Sequence, residues 1–344
     1  MDLVLRERLV FTVMNKRRVT LQDVAKATGY SINTISHALK NKPDIAPATR
    51  EKIQQVAREM GYIRNEMARS LRSGRTKTLG VIVGGMSNPF YGLMADAIQD
   101  AAMKLGYTLL IFCSRDQEDI EQQVLETAIR RQVDGVLLFP SWSSARSIEL
   151  LKDNGIPYVL MARYMKKGQD DCVVCNEEQG AYLATRHLLE AGRKPAFLSS
   201  FDVLYSSEQR LNGYLRACEE AGLPEAERRS AICQSNEEII TQLLQWKTEG
   251  VNGLFMFCDL EAWNANLVMH QTGLRTPEDF ALVGFDNIQD AWSLPAPLCT
   301  VGWDIIGMVD SAISLLRRRI HHEDFEPQTV IFEPHLICRN SCGR

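Results

Sequence analysis

VTLQDVAKATGYSINTISHALKNK, residues 19–42, decides the first part of the fold. Thr20 precedes LQDVAKA, with Asp23 three positions on, a helix start close to a capping box. Leu21, Val24 and Ala25 form the apolar stripe of a first short helix, and Gly29 stops it. Ser31 is a second N-cap, placed before INTISHALK. Two short helices joined by a Gly-containing turn are the helix-turn-helix signature. A third helix is expected from Pro47 to Met60, with Ile53, Val56, Ala57 and Met60 at helical spacing and Gly61 as its stop.

Downstream lies NEMARSLRSGRT, residues 65–76, a short basic stretch with Met67, Ala68 and Leu71 and closed by Gly74. As an isolated helix it would be marginal in water. Upstream, MDLVLRERLVFTV carries Arg6, Glu7 and Arg8 and no small-residue cleavage site, so it does not read as a secretory signal. Met14, followed by NKRRVT, makes a natural start, so the stretch before it reads as an extension or the product of a mis-set start codon, and residues 1–17 are set apart as an N-terminal extension. Residues 1–77 hold 16 Lys+Arg against 7 Asp+Glu, whereas residues 78–344 hold 23 against 36. A basic head on an acidic body is the electrostatic footprint of a nucleic-acid-binding module joined to something else.

From Thr78 the chain alternates apolar, β-rich runs with helical spacing. The runs include LGVIVGG, TLLIFCS, DGVLLFP, PYVLMA, PAFLSS, GLFMFC and FALVGF, separated by stretches such as EQQVLETAIRRQ. Repeated β-α units with near-continuous apolar strands predict parallel, doubly wound sheets, and their number suits two similar lobes. Ligands bind such sheets outside the carboxyl ends of the strands. Asn88, Phe90 and Tyr91 follow the first run, Ser141 and Trp142 the third, and Arg163 the fourth. Asp259 follows GLFMFC, Asp286 follows FALVGF, and Arg210 starts a helix beside the same edge. Carboxylates and guanidiniums grip hydroxyls, while an aromatic ring covers an apolar face, so this set suits a polyhydroxyl ligand. Structural duties compete at four of these positions: Asn88 as a helix cap, Asp286 as a turn former, Asp259 as fold support and Trp142 as core.

No P-loop, G-x-S-x-G elbow, metal-spaced His pair or G-x-G-x-x-G after a first strand occurs, so no enzyme and no cofactor are expected. No apolar run reaches the roughly 18–20 residues of a membrane span. Nine scattered cysteines fit a reducing cytoplasm. Cys172 and Cys175 should point to opposite faces of a strand. Cys338 and Cys342 lack a second pair or a histidine at metal spacing, so no metal site is expected there either.

The order of parts resembles the LacI/GalR family of bacterial transcriptional regulators. The matching stretches are residues 19–42, TREKIQQVAREMGYIRNEMARSLRSGRTKTLGVIV (49–83), NPFY (88–91), RLNGY (210–214) and LVGFDN (282–287), and the likeness runs on to LICR near the C-terminus. It implies a small all-α helix-turn-helix domain over residues 18–63, a hinge helix and linker over 64–77, and a periplasmic-binding-protein-like core of two doubly wound lobes over 78–344. The lobe crossovers would fall near Val174, Asp290 and Phe325. In the family the positions of Ile32, Asn33 and His37 read bases in the major groove, while Ser31, Thr34, Ser36, Asn41 and Arg50 suit caps and phosphates. NEMARSL matches the hinge helix, with Leu71 as the minor-groove wedge and Arg69 and Arg72 beside phosphates or groove walls.

The resemblance also implies an effector between the lobes, supports Asn88, Phe90, Arg210 and Asp286 most directly, and adds Asn176 at the first crossover. Three departures bear on the pocket: Cys175 where an aspartate is usual before Asn176, bulky Trp263 after Asp259, and Trp303–Asp304 in place of Gln-Pro. The expected protein is a cytoplasmic homodimer on a palindromic double-stranded DNA operator, a repressor controlled by a small metabolite of sugar type. A nucleobase-type co-repressor, or a ligand-binding protein without DNA function, are the alternatives. No leucine-heptad extension follows LICRNSCGR, so a dimer rather than a tetramer is expected.

Overall fold

A computed structural model describes residues 19–63, 74–141, 144–163, 169–201, 205–292 and 297–343. The chain divides into two units at residues 72 and 73. In the first, α1 (Leu21–Thr28), α2 (Ile32–Leu39) and α3 (Pro47–Glu59) pack around Val24, Ile35, Ala38, Ile53 and Ala57. Thr20 and Asp23 form a reciprocal capping box, and Gly29 closes α1 at φ +76°. That left-handed conformation is open to glycine without strain, and it turns the chain into α2.

The second unit holds two six-stranded sheets. β1 (Thr78–Val83), α4 (Pro89–Lys104), β2 (Thr108–Cys113), α5 (Glu118–Arg130), β3 (Gly135–Leu138), α6 (Ala145–Asp153), β4 (Tyr158–Met161) and β5 (Cys172–Cys175) build the first lobe. The second lobe follows with α7 (Glu177–Glu190), β6 (Pro195–Ser199), α8 (Tyr205–Glu220), β7 (Arg229–Ile232), α9 (Asn236–Thr248) and β8 (Gly253–Met256). It continues through α10 (Asp259–Gln271), β9 (Ala281–Phe285), α11 (Gln289–Trp292) and β10 (Cys299–Gly302). Then α12 (Ile305–Ile320) and β11 (Thr329–Phe332) return to the first lobe, and β12 (His335–Ile337) completes the second. The strand orders are β2-β1-β3-β4-β5-β11 and β7-β6-β8-β9-β10-β12, parallel except where β12 runs antiparallel to β10. Central strands such as β3, β8 and β9 are buried along their whole length, as helices on both faces require.

Cys172 packs in one core and Cys175 in the other, on opposite faces of β5. The chain passes between lobes at Asn176, at Trp303–Asp304 and at Glu333–Pro334. The second and third passages correct the expected positions near Asp290 and Phe325. β10, a four-residue strand with little sequence signal, keeps the chain in the second lobe past Asp290, and β11 keeps it in the first past Phe325. Among the described residues no helix is long and apolar enough to cross a membrane.

Candidate functional site

In the helical unit, Ser31 caps α2 by accepting from the Thr34 amide at 3.1 Å, and the two hydroxyls lie 2.9 Å apart. The cap leaves Ile32 and Asn33 on the exposed first turn, Ile32 at 45% exposure. An apolar side chain so exposed on a first turn is not core. His37 lies one turn further, half-buried, with Nδ1 2.5 Å from the Asp44 carboxylate. This contact holds the Asp44 carboxyl below its ordinary range. With Nδ1–H given to Asp44, a neutral ring presents Nε2 as an acceptor and a charged ring presents it as a donor.

Ser36 is half-buried. Asn41, at φ +55°, accepts from Gln54 Nε2 at 2.7 Å and so supports the loop after α2. Arg50, expected among caps and phosphates, donates through its guanidinium to the carbonyls of Lys42 at 2.8 Å and Ile45 at 2.9 Å. It staples the loop between α2 and α3, while Lys40 and Lys42 are the exposed cations of that loop. The hinge residues Arg69, Leu71 and Arg72 lie outside the described residues, as do Trp142 and the extension over residues 1–17.

A cleft opens between the lobes at the carboxyl ends of their strands. Asn88 caps α4 by accepting from the Phe90 amide at 3.0 Å, and this sets Phe90 and Tyr91 on the wall. Arg163, just after β4, donates to Asp116 at 2.7 Å, to the Pro140 carbonyl at 2.8 Å and to the Tyr91 hydroxyl at 3.3 Å. Burial pushes the Tyr91 phenol up to about 12, although the Arg163 charge opposes this. On the facing lobe, Arg210 Nε donates to Glu177 at 2.6 Å, and its NH1 donates to the Phe257 carbonyl. Asp286 stands 3.6 Å from the same guanidinium, which lies over the Phe285 ring at 3.7 Å.

Burial works against the Arg210 charge, and Glu177 and Asp286 offset it, so its pKa is raised. Burial drives the Asp286 carboxyl well above its ordinary range, against the pull of Arg210. Arg210 reaches Glu177 because α7 and α8 pack closely at Gly213, where any Cβ would collide with the Glu178 carbonyl.

Asn88, Phe90, Tyr91, Arg163, Arg210 and Asp286 thus meet on one cleft. Two expected residues do not. Asn176 caps α7 through the Gln179 amide at 3.2 Å and faces Glu333 at the lobe passage. Asp259 is fully buried, with its oxygens taken by Thr300 at 2.5 Å and the Ile288 amide at 3.0 Å. It holds the turn that presents Asp286.

Sequence reading missed Glu177 and Trp303 as cleft residues. Glu177 sits beside the passage at Asn176, a place that could have drawn attention to it. Trp303 was visible as a departure, and its ring lies 6.0 Å from Phe90 and 5.6 Å from Phe285. Its buried indole N–H has no hydrogen-bond partner among the described residues. The cavity measures about 40 Å³.

A family model described as bacterial regulatory proteins, lacI family, matches residues 20–65, and one described as a periplasmic binding protein-like domain matches residues 185–342. The HTH-type transcriptional repressor PurR of Aliivibrio fischeri (strain MJ11) is 30% identical over 331 residues, 94% of this chain and 98% of its own length. Among solved structures, the complex of the transcriptional regulator CelR with cellobiose aligns at TM-score 0.68 and 26% identity, covering 94% of this chain and 100% of its own. The lac repressor dimer bound to operator and the anti-inducer ONPF aligns at TM-score 0.79 and 20% identity, covering 95% and 99%, a likeness of fold.

Proposed function

Because the chain belongs to the LacI family of bacterial regulatory proteins, we propose that it is a cytoplasmic homodimeric repressor whose grip on a palindromic operator is set by a neutral carbohydrate between the lobes. Regulation of transcription through DNA binding is the common activity of its relatives. On this reading Asn33 and His37 meet base edges, Ile32 meets a thymine methyl, and Ser31, Thr34, Ser36, Lys40 and Lys42 position the helix on phosphates. Arg69, Leu71 and Arg72 take the hinge role from the sequence resemblance. Exposed apolar side chains on and beside the edge strands, Met103 and Ile111 in one lobe and Ile232 in the other, supply surface for a second copy.

The carrying observation for the effector is charge balance. Both cleft guanidiniums already face carboxylates: Arg163 faces Asp116, and Arg210 faces Glu177 and Asp286. A phosphorylated ligand would find no uncompensated cation there, whereas hydroxyl groups find acceptors in Asp286 and Glu177 and aromatic cover in Phe90 and Trp303. The cellobiose complex of a relative at 26% identity supports the same class. A nucleobase is the second reading, favoured by the Trp303 N–H and the flat faces around it.

Thermal unfolding against neutral sugars, sugar phosphates and nucleobases tests the assignment. A ligand present at a hundredfold excess over Kd stabilises the native state by about 2.7 kcal/mol. A shift with a neutral sugar supports the first reading, a shift with a free base transfers it to the second, and a shift with phosphorylated sugars alone refutes the charge argument.

A further inference from the structure

Far from the cleft wall, four side chains converge inside the second lobe. His187 comes from α7, Cys299 from β10, and Cys338 and Cys342 from the tail that follows β12. Their ligand atoms, the imidazole nitrogen and three sulfurs, all lie within 4.8 Å of one another. His187 Nε2 stands 3.0 Å from Cys342 Sγ and 3.6 Å from Cys338 Sγ. Cys342 Sγ stands 3.0 Å from Cys299 Sγ and 3.8 Å from Cys338 Sγ.

We propose that these four residues form a structural zinc site of the Cys₃His type, which fastens the C-terminal tail to the second lobe. Around a tetrahedral Zn²⁺, with bonds of about 2.3 Å to sulfur and 2.0–2.1 Å to nitrogen, sulfurs stand roughly 3.8 Å apart and sulfur and nitrogen roughly 3.6 Å apart. Cys338 already stands at these distances from Cys342 and His187, the two pairs at 3.0 Å need to part by less than an ångström, and the two remaining pairs lie within 4.8 Å. Four protein ligands leave no open position, the pattern of a structural rather than a catalytic ion. Thiolate and imidazole together select zinc over magnesium or calcium. On binding, Zn²⁺ replaces the thiol protons, which pass to solvent, and no electron moves.

The surroundings are built for such an ion. His187, Cys299 and Cys342 are buried, and Cys338 is exposed, giving a way in from solvent. The Arg339 amide donates to Cys299 Sγ at 3.1 Å, an outer contact that steadies a sulfur ligand. The short turn Asn340–Cys342 brings the ends of CRNSC together, and the Ser341 hydroxyl accepts from the Cys299 amide at 2.7 Å. A disulfide between Cys299 and Cys342 would engage two of these groups and leave Cys338 and His187 without a reason to converge. The sequence carries no metal spacing at Cys338 and Cys342 because the residues they meet are distant: His187 lies 155 residues before Cys342, and Cys299 lies 43 before it.

The test uses the full chain, purified in reductant without a metal-affinity column. Elemental analysis should find about one Zn²⁺ per chain, and Co²⁺ exchanged into the protein should show tetrahedral thiolate absorption bands. Cys338→Ser, at an exposed position, should weaken zinc at least about tenfold, the scale on which ligand-sphere changes act. Cys113→Ser, outside the cluster, should leave zinc unchanged. Less than about a tenth of an equivalent of metal in folded protein, with no thiolate bands after added Zn²⁺ or Co²⁺, would overturn the proposal. So would a Cys299–Cys342 disulfide in a parallel preparation isolated without reductant, read as the loss of two hydrogens by mass spectrometry. The wild-type spectrum decides the matter even if a variant fails to fold.

Discussion

Asp286 sits at φ +104°, a conformation that costs an aspartate on the order of 1–3 kcal/mol. The neighbouring Asn287, at φ +50°, continues the same turn, and Asp259 pins it through the Ile288 amide. Strain held in place by a buried carboxylate is economical only if the presented side chain has work to do. Asp286→Asn keeps the shape but replaces one carboxyl oxygen with an amide donor, so effector affinity should fall about tenfold, the loss of one hydrogen bond to the ligand. Operator binding without effector should persist; calorimetry and a DNA-binding titration on the same preparation check both halves. Asp259 has a different signature. Burial pushes its carboxyl up to about 7, opposed by the Thr300 and Ile288 hydrogen bonds. Its folded pKa lies above the unfolded value, so its contribution to stability is complete below about pH 4 and is lost as pH rises through about 7, on the order of a few kcal/mol. Asp259→Asn should therefore flatten urea midpoints measured between pH 5 and pH 8 and exceed the wild type at the alkaline end. An unchanged slope would mean the carboxyl titrates normally.

At the scale of elements, α2 carries the DNA prediction. Asn33→Ala should cost about 1–3 kcal/mol on the true operator and little on random DNA, because a bidentate contact to adenine reads sequence. Raising salt should weaken both, with about 0.9 added to the slope of log K against log salt for each phosphate neutralised. Electrophoretic or fluorescence titrations at several salt concentrations separate the two effects. The helices of this unit were legible because their caps are local: Thr20 with Asp23, Ser31 and Gly29 act within a few residues. The strands β1, β3, β4, β6, β8 and β9 were legible because apolar runs mark central strands, and the edge strand β2 was legible because TLLIFC carries such a run as well. β7, with the half-exposed sequence RSAI, and β10, with CTVG, carry no such run, and the short apolar run TVIF of β11 is half-exposed, so two passages between lobes were placed too early. Half of the cleft was readable from strand ends. The rest depends on pairs such as Arg210 with Glu177, which only the packing of α7 on α8 creates.

For the whole body, size sets the mechanism. Small-molecule pockets run to about 300–1,000 Å³, and the cleft holds about 40 Å³, so a small-molecule effector enters only if the lobes part. Amide exchange over the passages at Asn176, Trp303–Asp304 and Glu333–Pro334 should change on ligand saturation, and identical exchange there would assign the opening to side chains alone. Those passages have a further consequence, for synthesis. The first lobe waits for β11 and the second for β12, so each sheet gains its last edge strand only once residues 329–337 have left the ribosome. The helical unit is contiguous and can fold long before. A nascent chain therefore carries a finished DNA-binding head ahead of an unfinished switch, and a chain cut at Gln328 would keep the head while denying both lobes their closing strand.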